Sequence, residues 1–201
     1  MKTTIENIVV CGIGAAGSNT FLNLLYAYPA LNYTVADFDK VEGRNVDPGT
    51  QPYTKIDLNR PKTQALQRIA LALKNKRIEA VNKKLNSAKD IEDLTKAPDK
   101  TLFIDAFDNA DSRNLFLKLH KRHVLHVGFS GTLTGEAVWD GVYTKMEASK
   151  KDVDIDVCEM TIARPYIFAL TAMATMIVSC FIDNGEKVNL YFDSHLILRK
   201  F

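Results

Sequence analysis

Cysteine is scarce in this chain of 201 residues, which carries only three. An odd, small number of cysteines does not build a disulfide framework, and no Cys-x-x-Cys pair is present to form a zinc ribbon. Cys11 and Cys180 lie inside apolar runs, where buried free thiols are common. This cysteine usage is typical of a reducing compartment, and we therefore predict a cytoplasmic location.

An excess of charge of one sign is also missing. The chain has 26 basic and 24 acidic residues, for a formal net charge of +2. Nucleic-acid-binding domains usually carry a large surplus of lysine and arginine, so the bulk charge argues against a nucleic-acid partner. The best candidates for a local RNA-binding surface are the basic residues Lys74, Lys76, Arg77, Lys83 and Lys84.

Long hydrophobic runs are limited to one segment. No apolar signal core precedes Ile8. Residues 165–182 carry no charge and reach the lower length limit of a membrane span. Because the segment contains Thr171, Thr175 and Ser179, it is only moderately apolar on a membrane scale. We predict a buried helix and no membrane contact, with a membrane span as the alternative.

The residues that are present have the composition of a globular protein, 46% hydrophobic and 25% charged. The length suits a single domain over residues 1–201. Strand and helix patterns alternate over residues 1–130, which predicts an α/β, Rossmann-like and mostly parallel sheet with helices on both faces. Residues 131–201 would add a β extension, a polar crossover loop and the apolar helix.

A glycine-rich loop follows the first predicted strand. Residues 12–17 read Gly-Ile-Gly-Ala-Ala-Gly and open a predicted helix. Such glycines permit a tight turn, and the helix N-terminus offers N–H groups to a phosphate. Asp37, at the end of the second strand, is placed to accept a hydrogen bond from a ribose. We predict nucleotide binding at Gly12, Gly14, Ala15, Gly17 and Asp37. Taken alone, these features would suit a nicotinamide-dependent dehydrogenase.

Three further motifs follow in order. Residues 37–46 read Asp-Phe-Asp-Lys-Val-Glu-Gly-Arg-Asn-Val, residues 57–62 read Asp-Leu-Asn-Arg-Pro-Lys, and residues 105–113 read Asp-Ala-Phe-Asp-Asn-Ala-Asp-Ser-Arg. Together with the glycine loop, they resemble the superfamily of ubiquitin-activating (E1-like) adenylating enzymes, which includes ThiF and MoeB. The signature of that family is D-x-D-x-V-x-x-S-N-L-x-R-Q, then D-x-G-x-x-K, then D-x-x-D-N-x-x-x-R. This resemblance argues against a nicotinamide-dependent dehydrogenase.

The resemblance implies an activity and partners. The protein would be an ATP-dependent adenylyltransferase that activates the C-terminal carboxylate of a ubiquitin-like or sulfur-carrier protein ending in glycine. It would use ATP and Mg²⁺ and act as a homodimer. Two alternatives stay open: adenylation of a tRNA-bound or peptide carboxylate, and a catalytically impaired scaffold of the same fold that only binds nucleotide.

The resemblance also assigns roles to residues. Asp37 would hold the ribose, Asn45 would reach the phosphates, and Asp39 is counted among the nucleotide-binding positions. Lys62 would contact phosphate as a point charge. Asp108 would bind Mg²⁺, which prefers oxygen ligands. The structural alternatives are a solvated lysine at the start of a helix for Lys62 and a helix N-cap for Asp108.

The sequence departs from the family signature after Asn45. Pro48 stands where the family has an arginine, and residues 49–50 look like an insertion before Gln51. Arg44 and Arg60 are the candidates to supply the missing guanidinium. We count Arg44 among the catalytic candidates.

Cys158 lies in the crossover loop, just before the apolar helix. In ThiF-like members a cysteine at this point can take the acyl group as a persulfide or thioester, and a helix N-terminus would lower its pKa. The neighbouring carboxylates of Asp154, Asp156 and Glu159 would raise that pKa. Cys158 is therefore a catalytic candidate, with an incidental cysteine as the alternative.

Other polar residues of the last motif and after it are expected to be structural. Asn109 and Arg113 look like strand-end and helix-start architecture. His120 and His123 should share a helix face, and His126 should lie on the next strand. Because no carboxylate or thiolate stands at metal-ligand spacing from them, we predict exposed histidines near a helix end and no metal.

Overall fold

The elements of the fold come from a computed structural model, which describes residues 4–46, 49–119, 121–130, 132–143, 163–195 and 198–200. The strands are β1 (Asn7–Cys11), β2 (Asn32–Asp37), β3 (Glu79–Asn82), β4 (Thr101–Asp105), β5 (His123–Phe129), β6 (Gly135–Trp139), β7 (Leu190–Phe192) and β8 (Leu198–Lys200). The helices are α1 (Ala15–Ala27), α2 (Gly43–Val46), α3 (Lys62–Lys74), α4 (Ala88–Glu92), α5 (Ala110–Phe116) and α6 (Arg164–Asn184).

The strands described form one sheet in the order β3-β2-β1-β4-β5-β6-β7-β8. The pairs from β3 to β5 are all parallel; Val10 of β1, for example, lies between Val35 and Ile104. The pairs from β5 to β8 are antiparallel. The chain reverses its direction of winding between β1 and β4, which is where sheets of this kind bind ligands. The predicted Rossmann-like sheet with a C-terminal β extension is confirmed.

Helices cover both faces of the sheet. Because side chains alternate along a strand, Ile8 and Val10 of β1 pack with α1, α3 and α6, whereas Val9 and Cys11 pack with α4 and α5 on the opposite face. All four side chains are fully buried. The apolar character of β1 on both faces is what a covered parallel sheet requires.

The apolar segment forms α6, which packs against α1 and β6. Gly185, at φ +79°, ends it in the left-handed conformation. By length and composition alone the helix could also cross a membrane, but Leu170 and Ile177 are fully buried in the main core. Its other face leaves Phe168 and Met176 about half exposed.

The histidine predictions were wrong in two respects. His123 begins β5 and does not lie on a helix. His126 lies on the strand as predicted, but it has no exposed surface because β5 is covered on both faces. His120 lies outside the described residues. Of the two cysteines expected in the core, Cys11 is buried and Cys180 on α6 is only partly buried.

A buried ion pair fixes the turn that leads into α3. Asp57 is fully buried, and each of its carboxylate oxygens lies 2.8 Å from a nitrogen of Arg68. The backbone N–H and the hydroxyl of Thr54 donate to the same carboxylate. The pair therefore holds residues 54–57 against α3, near the point where Lys62 begins that helix.

Asp57→Asn is expected to destabilise the fold by about 2 kcal/mol at neutral pH. This loss is smaller than the loss from breaking a fully buried ion pair, because the Arg68 side chain is one-third exposed. Burial acts to raise the pKa of Asp57, but hydrogen bonds from Arg68 and Thr54 outweigh it and hold the pKa below its ordinary value. Because the pKa of Asp57 is lower in the folded than in the unfolded state, its ionised carboxylate stabilises the fold at pH values above the unfolded pKa of about 3.9. This stabilisation is lost as the pH falls through the folded-state pKa. Urea unfolding from about pH 7 to about pH 3 should thus show a steeper acid loss for the wild type than for the variant. Equal slopes would contradict this role of Asp57.

Candidate functional site

The glycine loop combines tight packing with one open position. A Cβ on Gly12, at φ +79°, would lie 2.8 Å from the backbone of Ala106, and a Cβ on Gly17 would lie 1.9 Å from the carbonyl oxygen of Gly12. A Cβ on Gly14 would meet nothing within 4 Å. Gly14 is also the N-cap of α1 and supplies no side-chain cap. The space beside Gly14 at the start of α1 is therefore open, and no side chain of Gly14 caps the helix N–H groups, as phosphate binding requires.

The carboxylate of Asp37 is turned toward this loop. Its two oxygens accept hydrogen bonds from the backbone N–H groups of Ile13 and Asp39, each at 2.9 Å. Burial raises the pKa of Asp37, while the charge of Lys62 and these N–H donors oppose the rise. A carboxylate has about four acceptor positions, so Asp37 keeps capacity to accept a ribose hydroxyl.

Lys62 reaches the same place from α3. The segment after β2 runs beside the segment before α3, with Val41 N–H donating to the carbonyl of Arg60 and Lys62 N–H donating to that of Asp39. The Lys62 ammonium lies 3.1 Å from the Asp39 carboxylate, and the residue is only 8% exposed. The fold thus brings a nearly buried cation beside two acidic residues at the open end of the glycine loop.

Two further predicted residues lie on α2. Asn45 is buried, and its side-chain oxygen accepts a hydrogen bond from the N–H of Glu42 at 2.8 Å. The nitrogen of its side-chain amide is therefore the atom that can donate a hydrogen bond. Arg44 is half exposed and forms an ion pair with Glu42 at 2.7 Å. The role of Arg44 as a replacement for the family arginine stays a prediction.

Another arginine lies near the insertion that follows Asn45. A Cβ on Gly49 would be 2.6 Å from a guanidinium nitrogen of Arg164, at the start of α6. The carbonyl of the next residue, Thr50, accepts a hydrogen bond from Asn19 of α1 at 2.7 Å, which ties this loop to the early turns of that helix. No motif signals the contact with Arg164, because that residue lies far along the chain from the loop it touches.

Asp108 lies in the turn after β4, which packs closely against Gly12 through Ala106 and Phe107. Asp108 is exposed. Asn109, and not Asp108, caps α5 through its side-chain oxygen. Among the residues described, no group of three or more possible metal ligands is found. Mg²⁺ commonly binds through one or two carboxylates together with substrate phosphates, and one exposed carboxylate suits that mode.

A buried polar cluster lies next to this turn, and sequence reasoning missed the contacts within it and the part played by Tyr143. Asp105 lies 2.8 Å from a ring nitrogen of His126 and 3.6 Å from the guanidinium of Arg113. The ring of Tyr143 stacks on His126 with centroids 3.8 Å apart, and its hydroxyl accepts from Arg113 at 3.1 Å. Arg113 therefore occupies the architectural place that its motif suggested.

Comparison with known protein families agrees with the order of the motifs. The sequence model of the ThiF family matches residues 3–152. The chain belongs to the ThiF family. The match ends before Cys158, which also lies outside the described residues, so its catalytic role stays a prediction for this ThiF-family protein.

Solved structures share the fold of this ThiF-family chain. E. coli MccB, crystallised with ATP, matches with a TM-score of 0.70 and 14% identity over 98% of this chain and 64% of its own. MccB with MccA-N7isoASN matches with a TM-score of 0.72 and 15% identity over the same shares. PaaA matches with a TM-score of 0.69 and 17% identity, again over 98% and 64%. This chain thus spans less than two-thirds of these structural neighbours. A search of curated protein sequences gave no match.

Proposed function

We propose that this protein is an ATP-dependent adenylyltransferase of the E1-like type, which activates the C-terminal carboxylate of a protein or peptide. The observation that carries the proposal is the meeting of the open Gly14 turn, the Asp37 carboxylate and the Lys62 ammonium at one edge of the sheet in a ThiF-family fold. The triphosphate would lie on the first turn of α1, with the ribose on Asp37 and phosphate oxygens near Lys62 and Asn45.

The reaction joins the acyl substrate to the α-phosphate of ATP. A carboxylate oxygen forms a bond to the α-phosphorus, the bond from that phosphorus to the bridging oxygen breaks, and its electron pair leaves with pyrophosphate. Because negative charge builds up on the leaving group, a fixed cation stabilises the transition state more than the ground state. Lys62 would supply that charge. When bound, Mg²⁺ would add further neutralisation, with Asp108 as its protein ligand.

A protein or peptide substrate is better supported than RNA. Two of the lysines considered for RNA binding interact with other side chains of the protein. Lys83 forms an ion pair with Asp90 at 2.5 Å, and Lys74 lies over the ring of Tyr26 at 3.9 Å. The structural neighbour MccB has been crystallised in complex with N-formylated MccA. Within this class we favour a ubiquitin-like or sulfur-carrier protein that ends in glycine, with a shorter peptide as the second candidate.

The proposed assembly is a homodimer in the cytoplasm. The half-exposed Phe168 and Met176 give the outer face of α6 an apolar surface that a second copy would cover.

Cys158 remains a proposed acceptor of the acyl group.

ATP–pyrophosphate exchange tests the proposal. We expect the purified protein to incorporate labelled pyrophosphate into ATP only when a carrier protein with a free C-terminal glycine is added, and not with the same carrier lacking that residue. Exchange that instead requires a short peptide would support the second candidate. Binding of MgATP in calorimetry without exchange for any carboxylate would contradict the enzyme and favour a nucleotide-binding scaffold.

A further inference from the structure

In the turn that carries Asp108, two buried groups hydrogen-bond to the backbone of Phe107, the residue before it. The N–H of Phe107 donates to Asp105 at 3.2 Å, and the carbonyl of Phe107 accepts from Arg113 at 3.1 Å. The same guanidinium nitrogen donates to the carbonyl of Val127 in β5 at 3.2 Å. Both backbone groups of the residue before Asp108 are therefore hydrogen-bonded, and Arg113 is the partner of one of them.

Arg113 is in turn oriented by Tyr143. Arg113 is 4% exposed, so its hydrogen bonds are made with protein groups. Its Nε donates to the Tyr143 hydroxyl at 3.1 Å, whereas the nearest oxygen of Asp105 is 3.6 Å away. Burial works against the charge of Arg113, but Asp105, Tyr143 and Glu136 together raise its pKa above the ordinary value. The guanidinium is thus a permanent cation whose Nε uses the phenol as an acceptor.

The ring of Tyr143 is itself held by its stacking on His126. The ring of Tyr143 lies nearly parallel to that of His126, 12° from coplanar, and His126 is anchored to Asp105. Tyr143 is only 9% exposed. It follows β6, so it belongs to the antiparallel extension and not to the parallel half that contains the glycine loop.

We infer that Tyr143 is a positioning residue for the metal-binding carboxylate of Asp108, acting through Arg113 and the backbone of Phe107. The inference rests on the proposed function, because it takes Asp108 as the residue that meets the Mg²⁺ of MgATP. It extends that function by making the antiparallel extension part of the machinery that sets metal affinity.

Tyr143→Phe isolates the role because it keeps the stacked ring and removes only the acceptor. Tyr28→Phe is the matched control: the Tyr28 hydroxyl donates to Asp183 at 3.0 Å, between the ends of α1 and α6. Each variant loses one tyrosine hydroxyl and keeps the aromatic ring. An effect seen only in Tyr143→Phe therefore reports on the link to Arg113.

The first measurement is the Mg²⁺ dependence of nucleotide binding and of exchange. We expect Tyr143→Phe to raise the Mg²⁺ concentration at half-saturation about tenfold, as losses of outer-shell partners of metal ligands do. Binding of ATP without metal should stay at the wild-type level, and Tyr28→Phe should match the wild type in both measurements. A Tyr143→Phe protein with unchanged Mg²⁺ dependence would overturn the inference.

The second measurement needs no activity. Amide hydrogen exchange of residues 105–109 in the nucleotide-free protein should be faster in Tyr143→Phe and unchanged in Tyr28→Phe. If no carboxylate supports pyrophosphate exchange, the proposed function fails, but this measurement still decides whether Tyr143 holds the turn. Wild-type exchange rates at Phe107 in Tyr143→Phe would refute the link.

Discussion

Gly14→Ala is expected to weaken MgATP binding by about thirtyfold, or about 2 kcal/mol, while the protein stays folded. The added methyl group meets no protein atom within 4 Å, so the loop accommodates it. It instead occupies the space in front of the first turn of α1, where the phosphates are proposed to lie. As an N-cap, alanine is less favourable than glycine, so we expect a stability loss of no more than about 1 kcal/mol. Calorimetric titration with MgATP and urea unfolding measure the two quantities.

Gly17→Ala is the matched control with the opposite expectation. Its methyl group would lie 1.9 Å from the carbonyl oxygen of Gly12, so the start of α1 would have to move away from the loop. We expect a loss of about 3 kcal/mol in the free energy of unfolding, the upper range for overpacking. Wild-type affinity in Gly14→Ala would show that the phosphates do not lie on this turn.

The parallel half of the fold could be predicted from sequence because its signals are local. The apolar runs that form β1 and β4 end just before Gly12 and at Asp105, and each is followed by a turn and a helix. The meeting of the glycine loop with Asp37 is also predictable, because a parallel sheet brings the carboxyl ends of neighbouring strands to one edge. The spacing of these residues along the chain was enough to predict that they meet.

The rest of the site depends on contacts between distant segments, which no periodicity records. The Tyr53 hydroxyl donates to the carbonyl of Ile13 at 2.7 Å and so supports the glycine loop, yet nothing in the residues around Tyr53 indicates that partner. His126 looked like one of several polar histidines, and its pairing with Asp105 follows only from the register of β4 and β5. Buried polar residues of this kind are specified by their partners, so sequence reasoning tends to assign them to the surface.

Lys62→Met is expected to lower kcat/KM for ATP–pyrophosphate exchange by on the order of a hundredfold to a thousandfold, as the loss of one preorganised electrostatic group does. Lys62 is nearly buried and lies beside Asp39 at 3.1 Å, so solvent is poorly placed to replace its charge. Lys40→Met is the matched control, because Lys40 is exposed in the same segment as Asp39. Equal, small losses in both variants would identify Lys62 as an ordinary lysine at the start of a helix.

The pH dependence of nucleotide binding separates this electrostatic role from a purely steric one. Burial raises the pKa of Asp37, and Lys62 is the largest influence that opposes the rise. Without the ammonium, the Asp37 carboxyl takes up a proton at a higher pH and then offers one acceptor oxygen fewer to the ribose. Nucleotide affinity in Lys62→Met should therefore begin to fall at a higher pH on acidification than in the wild type, whereas Lys62→Arg, which keeps the charge, should retain the wild-type profile. A profile shared by all three proteins would mean that Lys62 does not act on Asp37, because a change of shape alone leaves the protonation of the carboxyl unaltered.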